Sequence, residues 1–373
     1  MTKSFPEIAG NLGFGCLRIP RVDGEIEFEK TCELFDAFLA SGNNYFDTST
    51  IYLGGKSEES VKRCLAQRHA RNEFKLGHKM TGRLFETLDD VKRAFEKQLE
   101  DCGVDFFDFY LMHGMNAQEY RKYSQVGLFD WVQDMKSQGL VGHAGFSFHD
   151  SVELLDAMLD DHPETEFVQI QFNYLDYEDD CIQSRLCLES CRAHGKPVFV
   201  MEPNKGGILT GELPSEATAI LDAASERENA TRGQLSMLFC RTFPEIELVL
   251  SGMGSTEQIA ENAAAWTRAE TMSPATVEDL LRVRKVMEAS GRIQCTQCHY
   301  CDGCPMSIDI PRLIAILNAC RTVAGGAQKC YYRTVVTDGG KAGDCIGCEQ
   351  CVERCPQSLP IPEFMKELAA LYE

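Results

Sequence analysis

Up to about residue 270 the chain alternates two hydrophobic rhythms. Short apolar or β-branched runs occupy 12–19, 44–48, 74–80, 106–113, 141–148, 167–174, 197–202 and 246–252. Between them lie amphipathic stretches. In 28–40 and 88–99 the apolar residues recur every three or four positions, the mark of a helix with one buried face. Eight strand–helix units in roughly 250 residues match a closed (β/α)8 TIM barrel. Periodicity alone leaves an open, doubly wound parallel sheet as the competing arrangement. The expected class is therefore α/β, with a barrel over residues 1–270.

A different pattern follows, and residues 271–373 are read as a separate domain. It opens on a connector and a helix over 271–284, behind the Met272-Ser273-Pro274 boundary. Residues 310–323 are apolar at helical spacing, and Pro311 suits a first helical turn. Glycines at 325, 326, 339, 340 and 343 break the pattern, and 362–372 reads as a closing helix.

Charge narrows the function. There are 57 acidic against 37 basic residues, a formal net charge of −20. That argues against wrapping nucleic acid, which needs a basic face, and against an anionic membrane surface. No run approaches the roughly 20 apolar residues of a membrane span. The opening residues lack an apolar signal core, so a cytoplasmic location is expected.

Four polar residues fall at the C-terminal ends of early strands: Asp47 and Tyr52 after the second, Lys79 on the third, His113 on the fourth. In a barrel those ends meet at one mouth. A tyrosine is a weak acid at neutral pH. A neighbouring ammonium stabilises its phenolate, a carboxylate holds the ammonium, and an imidazole orients the substrate oxygen.

In this order the four residues resemble the catalytic tetrad of the aldo-keto reductase superfamily, over residues 10 to 266. The resemblance implies that Tyr52 is the general acid, Lys79 its tuner, Asp47 the lysine's partner and His113 the orienter. It implies NADP or NAD on the barrel without a Rossmann domain, and a small-molecule carbonyl substrate. Gly13-Phe14-Gly15 is no dinucleotide fingerprint, since Arg18 stands where its third glycine belongs. By the same resemblance Ser147 and Gln169 hold the nicotinamide carboxamide, with Phe148 in place of the family's asparagine. Met201 replaces the stacking aromatic, Gly206 and Gly207 admit the pyrophosphate, and Ser251, Gly252, Gln258 and Asn262 line the adenosine side. Gly252 and Gln258 stand where relatives carry cations for the 2′-phosphate, leaving Lys205 and Arg18 as other basic groups for that role.

Cysteine usage is the remaining signal. Ten of the 18 cysteines lie between 295 and 355. Cys295, Cys298, Cys301 and Cys304-Pro305 form one group, and Cys345, Cys348, Cys351 and Cys355-Pro356 another. Three thiols at two-residue spacing with a fourth before proline is a [4Fe–4S] pattern, the fourth crossing to the other cluster. This predicts two clusters, one on Cys295, Cys298, Cys301 and Cys355, the other on Cys345, Cys348, Cys351 and Cys304. Structural zinc is the alternative. The whole chain then resembles aldo-keto reductases with a small, mainly α-helical ferredoxin-like domain at the C-terminus. That implies iron–sulfur electron transfer or a structural role for the clusters, and the net charge of −20 suggests a basic rather than an acidic redox partner protein. The other eight cysteines, with Cys320 and Cys330, are expected to be packing residues. The alternative function is an electron-transfer or redox-sensing protein whose barrel binds nicotinamide without carbonyl turnover.

Overall fold

The computed structural model describes residues 3–179, 182–268, 271–322, 332, 335–336 and 339–373, without the side chains of 319, 320 and 322. Eight parallel strands close into a barrel in chain order. They are β1 (Leu12–Gly15), β2 (Tyr45–Asp47), β3 (Lys75–Met80), β4 (Phe107–Met115), β5 (Val141–Phe148), β6 (Phe167–Gln171), β7 (Val198–Met201) and β8 (Ile246–Ser251). β1 pairs with β2 through Gly13 and Tyr45, and with β8 through Gly13 and Leu250, which closes the ring. The barrel, rather than the open sheet, is the arrangement formed.

Alternation along each strand sorts side chains into two layers. Tyr45, Phe109, Leu111, Phe167, Phe199 and Leu248 form one buried cluster that Phe5 plugs from below. These positions mark the inward parity. By the same parity Asp47, Lys79, His113, Ser147, Gln169 and Met201 face the barrel axis near the C-terminal strand ends. Neighbours of opposite parity pack outward. Phe14 and Phe46 meet Phe35 and Phe38 of the helix Phe28–Ala40.

The chain divides into two compact units: residues 1–203 with 228–273, and residues 204–227 with 274–373. The second contains helices Pro274–Ala289, Ile310–Thr322 and Ile361–Tyr372. Its core gathers Ile293, Leu313, Leu317, Ile361, Met365 and Leu368. Apart from the isolated bridge between Ile308 and Gly340, the regular structure of this region is helical among the described residues, in keeping with the mainly α-helical reading. The ferredoxin-like part of that expectation is corrected, since among the described residues none of its eight clustered cysteines joins a set of three metal-capable groups within 4.8 Å of one another. No helix among them is long and apolar enough to cross a membrane.

One packing assignment also changes. Cys32 and Cys64 form a disulfide, with Cα atoms 4.5 Å apart. It ties the helix Phe28–Ala40 to the turn Lys62–Ala66. Cys16, Cys102, Cys187, Cys191 and Cys240 are buried free thiols, as expected of packing residues. Cys181, Cys330 and the Cys320 side chain lie outside the described residues.

Candidate active site

The four expected catalytic residues belong to the first unit, and the strands bring them together. Asp47 ends β2 and is 3% exposed; Lys79 lies in β3 and is fully buried. The Lys79 ammonium pairs with Asp47 Oδ1 and donates to the Thr48 carbonyl at 3.0 Å. Burial pushes Lys79 down and Asp47 up, and their mutual attraction offsets part of each shift. A lysine this deep is held by its carboxylate rather than by water.

Tyr52 comes from a turn. After it the backbone is left-handed at Leu53, Gly54 and Gly55, with φ of 54°, 65° and 88°. Two glycines make that reversal accessible, and the chain re-enters a helix at Lys56–Val61. The Tyr52 ring lies 4.9 Å from the Lys79 Nζ and meets the His113 ring edge-on at 5.9 Å. His113 Nδ1 is 2.9 Å from Thr81 Oγ1 and 3.2 Å from Ser49 Oγ. Burial first, and then the Lys79 charge, hold its pKa well below the ordinary value. It is a neutral imidazole at physiological pH.

On the opposite wall, Ser147 Oγ accepts from the Gly114 amide at 2.7 Å, which leaves its hydroxyl hydrogen to donate. Gln169 Nε2 lies 3.5 Å from Met201 Sδ. Its Oε1 is buried with no hydrogen-bond partner among the described residues. An orphaned buried acceptor beside a spare hydroxyl donor matches a primary carboxamide, which offers an N–H and needs a donor for its oxygen. The residues therefore fit the nicotinamide end of a dinucleotide.

After β8, Asn262 Nδ2 donates to Ser251 Oγ at 3.1 Å, and both are buried. Ser255 caps the helix Thr256–Thr267 by accepting from the Gln258 amide, and Gln258 Oε1 accepts from the Gly254 amide. A Cβ at Gly252 would come within 3.0 Å of Arg18 Cβ, so these two positions adjoin. Gly206 and Gly207 belong to the second unit and take φ of 65° and 97°, which glycine adopts without strain. Lys205, also there, is buried and donates to Gln357 Oε1 at 2.6 Å.

The sequence reading missed two inward residues beside Ser147 and Gln169. His149 follows β5 and Gln171 ends β6, with His149 Nδ1 and Gln171 Oε1 2.9 Å apart. Strand alternation carries the signal, since each lies two positions beyond a residue already singled out.

Within the second unit, Cys295, Cys298, Cys301 and Cys355 line one cavity, and Cys304, Cys345, Cys348 and Cys351 line another. Six of the eight pack against the apolar core of this unit. Burial pushes Cys351 up to about 11 and Cys301 higher still. Among the described residues, one set of three metal-capable side chains has its ligand atoms all within 4.8 Å: Glu58, His78 and Cys102, in the barrel unit. None of the eight C-terminal thiols joins such a set. The expectation of two [4Fe–4S] clusters is corrected accordingly. The iron–sulfur and metal-binding roles, and electron transfer through them, find no support, and no finding supports a redox partner protein. Glu58 and His78 are mutually hydrogen-bonded at 2.9 Å.

A closed parallel barrel thus gathers a phenol, a buried ammonium–carboxylate pair and a neutral imidazole at its mouth. The aldo/keto reductase family model matches residues 11–281. The chain belongs to that family, and it is an NAD(P)-dependent oxidoreductase of the aldo-keto reductase type. L-galactose dehydrogenase of Arabidopsis thaliana is 26% identical over 298 residues, covering 74% of this chain and 90% of the relative. An aldo-keto reductase from Bacillus halodurans, in its holo form, superposes with a TM-score of 0.61 at 19% identity, over 74% of this chain and 92% of its own. One from Klebsiella pneumoniae in complex with NADPH gives 0.59 at 21% identity, over 74% and 90%. These likenesses concern the barrel. The solved structures show the fold, and the family model supports the family at large rather than a subfamily with a ferredoxin-like extension.

Proposed function

We propose that the barrel reduces an aldehyde or ketone to the alcohol, with Tyr52 as the proton donor. The observation that carries this is the placement of the Lys79 ammonium 4.9 Å from the Tyr52 ring, with the His113 ring edge-on to it at 5.9 Å. A bound NADPH or NADH supplies the hydride. Tyr52 delivers its phenolic proton to the carbonyl oxygen as charge develops there, general-acid help of about 10²–10⁴ in rate. Lys79 stabilises the phenolate left behind, and Asp47 keeps that ammonium in place. Two hydroxyls, Ser49 and Thr81, converge on His113 Nδ1. With Thr81 Oγ1 taken as the donor to Nδ1, the imidazole proton sits on Nε2, where it serves as an oriented donor to the same oxygen.

Ser147 and Gln169 would hold the carboxamide of the nicotinamide, and Met201 offers a thioether to pack on a ring face. Ser251, Gly252, Gln258 and Asn262 are assigned to the adenosine side. The name of the Arabidopsis relative adds sugars to the substrates worth assaying. The test is nicotinamide oxidation against a panel of carbonyl compounds, with wild type and Tyr52→Phe. Turnover lost in the variant supports the reading. Equal turnover in both removes Tyr52 as the acid.

A further inference from the structure

His149 and Gln171 have no part in the chemistry described so far, yet both face the barrel axis at its mouth. Each shares the inward parity of its strand, with Ser147 and Gln169 two positions below. Gln171 is 3% exposed. It bridges two neighbours. Its Oε1 lies 2.9 Å from His149 Nδ1, and its Nε2 lies 3.3 Å from Glu202 Oε2.

The direction of this chain of bonds is fixed by elementary chemistry. A carboxylate only accepts, so the Gln171 amide nitrogen donates to Glu202. The Gln171 oxygen then accepts, so His149 carries its proton on Nδ1. Burial lowers His149 to about 4, and the ring is neutral at pH 7. Its Nε2 is therefore a lone-pair acceptor, and no group among the described residues donates to it. Glu202 is held in place for this. Its backbone is left-handed, with φ of 58°, and Asn173 Nδ2 donates to its carbonyl at 3.0 Å.

The mouth thus presents two imidazoles of opposite polarity on adjacent strands. His113 offers a hydrogen, and His149 offers a lone pair. A bare aldehyde or ketone engages donors only. An acceptor beside the carbonyl site is matched by a substrate that brings a hydroxyl near its carbonyl carbon. We propose that His149 is a specificity-determining residue that accepts a hydrogen bond from such a hydroxyl, so that the substrate class is hydroxycarbonyl compounds. Gln171 and Glu202 are positioning residues that fix the tautomer. This rests on the carbonyl-reductase reading and narrows it.

The test compares glyceraldehyde with propionaldehyde, which has the same carbon skeleton without hydroxyls. Wild type is expected to favour glyceraldehyde in kcat/KM by about tenfold or more. In His149→Phe that ratio falls toward unity. His149→Gln, whose amide offers both a donor and an acceptor, keeps most of it. Gln171→Leu lowers it by freeing the ring, and provides a second route should His149→Phe fail to fold, which circular dichroism reports. An unchanged ratio in His149→Phe, or an effect confined to KM for the nicotinamide, overturns the proposal. If wild type turns over neither aldehyde, the carbonyl-reductase reading fails by itself. Calorimetric titration of the two aldehydes then decides the present point. Tighter glyceraldehyde binding that is lost in His149→Phe sustains it, and equal binding sinks it.

Discussion

Lys79 reaches Tyr52 from the neighbouring strand: its Nζ stands 4.9 Å from the Tyr52 ring centroid while its hydrogen bonds go to Asp47 and Thr48. The ammonium is thus anchored on the β2 side and presents its charge to the phenol. Burial makes this costly, since it lowers Lys79 and raises Asp47. A fully buried ion pair is poor evidence of stability design. Its position beside a phenol is better evidence of chemistry.

Tyr52→Phe keeps the ring and removes the proton. The expected loss in kcat is about 10²–10⁴. Nicotinamide affinity, followed by quenching of intrinsic fluorescence, should hold within about threefold. A loss of affinity comparable to the loss of rate would show that the phenol serves binding rather than proton transfer.

Asp47→Asn removes the charge that holds Lys79 up. Lys79 then falls further below its ordinary value, because burial is no longer opposed by a carboxylate. The ammonium is lost at lower pH, so the alkaline limb of the kcat profile moves to lower pH. Breaking a buried pair also costs about 3–5 kcal/mol of stability, measurable by urea unfolding. An alkaline limb that stays in place would separate Lys79 from the titration that limits activity.

Much of this site was legible in the chain because a parallel barrel converts strand order into spatial order. Asp47, Lys79 and His113 end successive strands, so closing the ring brings them to one rim. Ser147 and Gln169 came from the family resemblance, which says nothing of His149 and Gln171; strand alternation continued two residues further reaches both. The Cys32–Cys64 pair left no trace, since the two residues stand 32 apart and sequence carries no pairing information. The regular spacing of the C-terminal cysteines misled for a related reason. Spacing brings the thiols to the walls of two cavities, but among the described residues none of them joins a set of three metal-capable groups within 4.8 Å of one another. What thiols gathered against an apolar core then hold is decided by distances that spacing does not encode.

Gln169→Leu removes the orphaned acceptor at the bottom of the mouth. If Gln169 Oε1 receives the carboxamide of the nicotinamide, affinity for the dinucleotide should fall about five- to tenfold, as for one lost hydrogen bond. Affinity for a ribose-phosphate fragment lacking nicotinamide should not change. Equilibrium dialysis of both ligands makes the comparison, and equal weakening of the two would point to a general loss of packing.

The Cys32–Cys64 disulfide closes a loop of 32 residues in sequence separation. Chain-entropy reasoning puts its contribution at about 3–4 kcal/mol. A reductant should therefore lower the melting temperature of wild type by several degrees. Cys32→Ser should melt at that lower temperature with or without reductant. A reductant effect that persists in the variant would assign it to other thiols.

Glu166 gives the protein an acid-sensitive clasp at the foot of the barrel. It pairs with Lys136, lies 2.9 Å from His143 Nδ1 and accepts from the Ala144 amide at 2.9 Å. Burial alone would raise its pKa, but these three partners outweigh that and bring it down to about 2. An unfolded glutamate titrates near 4.3. The carboxylate therefore stabilises the fold fully above about pH 4.3, and that contribution is lost as pH falls through about 2. The difference of roughly two units amounts to about 3 kcal/mol at neutral pH. Glu166→Gln should be less stable by about 2–3 kcal/mol at pH 7, with the gap to wild type closing between about pH 4 and pH 2. Urea unfolding of both proteins across that range tests it. A gap independent of pH would mean that the glutamate acts through packing alone.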